Sequence, residues 1–162
     1  MREIKFRAKD TLERNWYIGS YMFTNDNTNN PFRRGPFKES HRIIFYSSCD
    51  WNMGGWNDVE IDPSTLGQYT ELEDENGKEI YEGDIVDWTF FYNRIGPNGG
   101  ATETDIQLRG VIKWGKAGFI FEVWRNDFEN AGWYGISDLN FDPASDIEVI
   151  GNIYDNPELL TK

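Results

Sequence analysis

Near the start of the chain Ile4, Phe6 and Ala8 alternate with Lys5 and Arg7. A strand turns successive side chains to opposite faces, so this alternation predicts a strand with one buried side. Asp10 to Asn15 is polar and predicts a turn. Trp16-Tyr17-Ile18-Gly19-Ser20-Tyr21-Met22-Phe23 then predicts the returning strand of an opening hairpin. An Asn-rich run follows and continues through Arg33-Arg34-Gly35-Pro36, which predicts a long loop over 24–42. Ile43-Ile44-Phe45-Tyr46 predicts a short buried strand, and Val59-Glu60-Ile61 another. Between them Gly54 and Gly55 break the pattern, flanked by Trp51 and Trp56. Asp62 before Pro63 predicts an N-cap with proline opening a single helical turn.

The second half is punctuated more sharply. Asn76-Gly77 predicts a tight turn, because this pair accepts positive φ. Glu82-Gly83-Asp84 predicts a second turn between Ile80-Tyr81 and the apolar run Ile85-Val86-Asp87-Trp88. A loop over 93–105 carries Gly96-Pro97-Asn98-Gly99-Gly100. Residues 106–114 predict a long strand, which Gly115 to Gly118 turn back into 119–124. Residues 147–154 predict a last strand, and Asn156-Pro157 a capped final helical turn. The fold class predicted is mainly β, or β-rich α+β, with few short helices. An SH3-like small barrel is expected in the C-terminal half, at about residues 68–155, beside an N-terminal β-hairpin subdomain. The whole is read as one domain, 1–162, divided into 1–66 and 67–162. No repeat of fixed period is present.

Composition changes this picture in two ways. Hydrophobic residues make up only 38% of the 162 positions, but aromatics reach 16%. Aromatic side chains bury large areas each, so a folded core is expected despite a mean hydropathy of -0.68. The formal charge is -12 and the isoelectric point about 4.5. Phosphate backbones are bound by Lys and Arg through counterion release, so direct nucleic-acid binding is disfavoured. The same charge suits a basic protein partner. The single cysteine, Cys49, allows no internal disulfide and fits a reducing cytoplasm. The N-terminus lacks the apolar run of a signal peptide, and no stretch has the length of a membrane-spanning helix.

Candidate chemistry is sparse. Asp74-Glu75-Asn76-Gly77 has the flavour of a calcium loop. With Gly77 at the sixth position, however, Leu72 and Gly83 fall where acids are required. His41 and Cys49 have no partners at zinc spacing. His41 reads as a polar residue at a strand edge, not a base, and the thiolate of Cys49 is disfavoured by Asp50 beside it. Gly96 to Gly100 lacks the Lys-Ser/Thr of a phosphate loop. No catalytic residue, metal, cofactor or small-molecule substrate is therefore assigned. Trp51, Trp56, Trp133 and Tyr134 lie near glycines and polar stretches, where they either cap the core or form a recognition surface.

Three blocks in order carry a resemblance. They are Arg2-Glu3-Ile4-Lys5-Phe6-Arg7-Ala8, the stretch from Gly67 through Asp74-Glu75-Asn76-Gly77 to Glu82-Gly83-Asp84-Ile85-Val86, and the ending from Glu148-Val149-Ile150-Gly151-Asn152-Ile153-Tyr154 to Leu160. Together they resemble the YopX-like family of phages and prophages. Two positions depart from it: Glu71 stands where the family usually has glycine, and Lys9 where an aromatic residue is common. A side chain at 71 is expected to avoid positive φ, so the local turn should differ there. The resemblance carries no catalytic residues. It implies that Gly77 and Gly83 serve turns, that Ile80, Tyr81, Ile85 and Val86 fill a core, and that Asp84 bonds a nearby backbone group.

The expected function is that of a non-enzymatic phage or prophage accessory protein in the bacterial host cytoplasm, binding a protein partner or forming a homo-oligomer. One alternative is an acidic DNA mimic that inhibits a host DNA-binding protein. Another is a carboxylate- or metal-dependent hydrolase.

Overall fold

The computed structural model describes residues 3–25, 39–48, 54–95, 99, 101–125, 133–135 and 147–161. The chain divides into two compact units, Met1–Tyr69 and Thr70–Lys162.

The first unit holds β1 (Phe6–Lys9), β2 (Trp16–Asn25), β3 (Glu39–Ser47) and β4 (Gly55–Glu60), and β5 (Gly67–Glu73) carries the chain onward into the second. All pairings are antiparallel, in the order β4-β3-β2-β1-β5. Alternation does what the sequence implies. Ala8, Ile43 and Ile61 are buried on one face, with Phe6, Tyr17, Tyr21, Phe45, Val59 and Leu66 packed around them. Gly19 is required there: a Cβ would lie 2.2 Å from the carbonyl oxygen of Ile44. Asp10 organises the β1–β2 turn by accepting the amides of Leu12, Glu13 and Asn15 at 2.7–2.8 Å. Asp62 caps the 3-10 turn Pro63–Thr65 by accepting from Ser64 N–H at 3.0 Å, as its place before proline predicts.

The far ends of β1 and β4 also meet. Asp10 and Ile61 form an isolated bridge, the Asp62 amide donates to Lys9 O at 2.8 Å, and the Thr11 amide donates to Glu60 O at 3.2 Å. The four strands thus curl around the apolar face, and besides its ladder with β3 the C-terminal end of β4 is bonded to the end of β1.

The second unit holds β6 (Glu79–Tyr81), β7 (Asp84–Ile95), β8 (Ala101–Trp114), β9 (Phe119–Arg125), β10 (Trp133–Gly135) and β11 (Ile147–Asn152). β6 follows β5 in the order of the first sheet, and the rest form a second sheet, β10-β9-β8-β7-β11. Ile80, Val86, Leu108, Ile112, Phe121, Ile147 and Val149 make its core, and Trp88 meets Phe121 edge-on at 6.1 Å.

The closed SH3-like barrel expected in the C-terminal half does not form. The second sheet is open, with β10 and β11 at opposite ends. The reason lies in β7 and β8. Their ladder runs from Ile85↔Val111 to Ile95↔Ala101, through residues read as loop over 93–105. This long hairpin pairs with itself, and β11 adds beside β7 from Ile147↔Trp88 onward, so the strands fan out instead of closing. The few short helices expected are two 3-10 turns among the described residues, Pro63–Thr65 and Pro157–Leu160. Asn156 does not cap the second; its side chain Oδ1 accepts the Asn152 amide at 3.4 Å.

Candidate interaction surface

The face of the first sheet opposite its core is where Trp56 lies. Tyr46 and Trp56 are directly paired across β3 and β4, so their side chains share that face. Their rings meet edge-on with centroids 5.7 Å apart, and they remain 59% and 76% exposed. Tyr46 is set over Gly54, where a Cβ would fall 2.1 Å from its hydroxyl. Tyr46 belongs to a strand expected to be buried, yet it faces outward. The period of two explains the correction, because Ile43 and Phe45 turn inward and Tyr46 must turn outward.

Farther along the same face, Arg42 of β3 forms an ion pair with Asp58, two residues on from Trp56 in β4. Farther across the sheet, Arg7 and Lys9 lie over the Trp16 ring at 5.0 and 5.3 Å. Lys9, the departure from the family pattern, therefore sets its ammonium over an aromatic neighbour. Of these side chains Tyr46 and Trp56 are exposed, whereas Lys9 is buried beneath the surface.

His41 sits on the inner side. Its Nδ1 is 2.7 Å from Tyr21 Oη, and its ring lies against Tyr21 and Phe23. It is not at a strand edge: Phe23 pairs it on one side, and the Ile61 amide donates to its carbonyl at 2.9 Å on the other. A histidine held by rings and a phenol reads as a packing group. Cys49 and Trp51 lie outside the described residues. Trp133 and Tyr134 pair with Glu122 and Phe121 in β10, and their side chains lie outside the described residues.

The conspicuous carboxylates hold backbone. Asp74 is buried, and its Oδ1 accepts the amides of Asn76 and Lys78 at 2.8 and 2.9 Å while Oδ2 accepts that of Val149 at 3.1 Å. Burial works to raise its pKa, but the three amides and Lys78 outweigh it and hold the carboxyl below its ordinary value. Asp84, 1% exposed, accepts the Tyr81 amide at 2.8 Å and fixes the turn at Gly83, whose φ is 86°. Asp87 takes both ends of the Arg109 guanidinium at 2.7 Å, which raises the pKa of Arg109. Among the described residues, no group of three or more His, Cys, Asp or Glu is placed to hold a metal ion. No helix among them is long and apolar enough to cross a membrane.

Charge divides unevenly between the units. Residues 1–69 hold nine Lys and Arg against nine Asp and Glu, and residues 70–162 hold seven against nineteen. The first unit is formally neutral, and the full excess of -12 belongs to the second.

Fold and surface define a class: a two-unit antiparallel β protein in which Asp10, Asp62, Asp74 and Asp84 hold turns and Asp58, Asp87 and Glu122 sit in ion pairs. The chain matches the YopX protein family over residues 5–161 and belongs to that family. A solved structure, protein EF1440 from Enterococcus faecalis, is similar at 22% identity with a TM-score of 0.47, covering 98% of this chain and 99% of that one. No curated protein matches the chain.

Proposed function

We propose that this YopX-family chain is a non-enzymatic phage or prophage accessory protein that acts by binding another protein chain in the host cytoplasm. The observation that carries this is the exposed Tyr46–Trp56 pair on the outer face of the first unit. Large aromatics in the open cost solvation free energy that burial against a partner recovers, and tryptophan and tyrosine dominate binding hot spots. Affinity capture from host lysate with the wild type and with Trp56→Ala tests the reading. A retained protein that the variant loses supports it. Identical retention by both overturns it, as does failure of the wild type to retain either a host protein or an untagged second copy of the chain added to the lysate.

A second reading, the acidic DNA mimic, draws on the second unit, which holds the whole excess of acid. Several of those acids are committed elsewhere: Asp74 and Asp84 face backbone amides, and Asp87 and Glu122 pair with Arg109 and Lys113. The mimic requires a partner that duplex DNA displaces. A complex that survives excess DNA excludes it.

A further inference from the structure

The β4 strand ends its sheet with one side unmatched. Among the described residues it pairs with β3 alone along Gly55–Glu60. Its hydrogen-bonding direction follows from the ladder. Ile61 N–H donates to His41 O at 2.9 Å, which marks that pair as a hydrogen-bonded one. Antiparallel pairs alternate, so Ile43↔Val59 and Phe45↔Asn57 are hydrogen-bonded too. The N–H and C=O groups of Trp56 and Asp58 therefore point away from β3. The next outward carbonyl, that of Glu60, already accepts from Thr11. Among the described residues what remains is a short edge centred on Asn57.

We propose that this edge pairs antiparallel with β4 of a second copy of the chain about a two-fold axis at Asn57. The proposal rests on the binding reading above and names its partner. Three features favour a second copy. In this register Trp56 of each copy faces Asp58 of the other, so every outward backbone group between Trp56 and Asp58 is satisfied. The exposed Trp56 ring is then set beside the Arg42–Asp58 ion pair of the other copy, where the guanidinium can lie on the indole. A register shifted by one residue toward Asp58 would instead put two Asp58 carboxylates face to face. The neutral first unit also lets two copies approach without net repulsion, whereas second units at -12 each repel. A two-fold contact of this kind closes on itself and gives a dimer.

Sedimentation equilibrium of the full chain across a wide concentration range tests this. The wild type is expected to dimerise reversibly. Asp58→Pro removes an outward N–H while leaving the β3–β4 bonds intact, and proline is tolerated at sheet edges with the N–H side outward. It is expected to weaken the dimer by about tenfold or more. Asp58→Asn, which keeps the N–H, is expected to retain it, and Trp56→Ala to weaken it. Far-ultraviolet circular dichroism reports whether each variant folds. A wild type that stays monomeric overturns the proposal, as does a folded Asp58→Pro that dimerises like wild type. If the monomeric outcome is accompanied by capture of a different protein that Trp56→Ala loses, the second-copy proposal falls and the binding reading stands.

Discussion

Asp74 accepts the amide of Val149 at 3.1 Å, joining a turn to a strand 75 residues away. The same carboxylate accepts two amides within its own turn, and Glu75 N–H donates to Ile147 O at 3.0 Å. The motif that identifies the family thus acts as a clasp between its middle and closing blocks.

Asp74→Ala should therefore be costly. It leaves buried amides without acceptors, and each such group costs about 1–3 kcal/mol. We expect a loss of about 3 kcal/mol, read as a lower urea midpoint at unchanged slope. Asp74→Asn, which keeps one acceptor oxygen, should lose less.

Acid should loosen the turns held by Asp62 and Asp74. Asp62 is lowered to about 2 by the Ser64 hydroxyl first, then by Arg14 and the Ser64 amide. Asp74 is lowered too, its amides overcoming burial. A carboxyl with a depressed folded pKa adds stability that is fully present above its unfolded pKa, about 3.9, and is lost as pH falls through the folded value. Denaturation midpoints should hold from neutral pH down to about pH 5 and then fall toward pH 2. Asp62→Ala should cost about 1 kcal/mol at neutral pH and flatten the acid limb.

Glu71 adopts φ 69°, in the left-handed region. The expectation that a side chain would steer the backbone away from it is overturned: Glu71 takes this conformation within β5 in spite of its side chain. A non-glycine residue there costs roughly 1–2 kcal/mol, partly offset by the greater entropy glycine loses on folding. Glu71→Gly should stabilise the protein by up to about 1 kcal/mol, visible as a raised thermal midpoint.

Gly110→Ala should do the opposite. A Cβ would lie 2.3 Å from the Glu122 carbonyl oxygen and 2.6 Å from the Phe121 ring. Backbone on one side and a buried ring on the other leave little room to yield, so a loss of about 2–3 kcal/mol is expected in chemical denaturation. Trp56→Ala, on an open surface, should shift stability by less than about 0.5 kcal/mol, which separates its effect on association from any effect on folding.

The sequence by itself determined the local punctuation. Asn76-Gly77 turns with Gly77 at φ 76°, Asp62 caps the turn at Pro63, Asp84 holds a backbone amide, and Ile80, Tyr81, Ile85 and Val86 are buried. The turns follow from interactions spanning a few residues, where side-chain chemistry and φ preference decide, and the buried positions follow from their apolar character. Tertiary structure alone decided the rest. Whether the sheet closes depends on which strands lie side by side, and the β7–β8 ladder took up residues that look like loop. That Tyr46 joins Trp56 in the open depends on strand register, which sets the face each side chain occupies. Glu71 shows the same hierarchy at one residue: its own preference opposes the left-handed conformation, yet the folded chain adopts it at φ 69°.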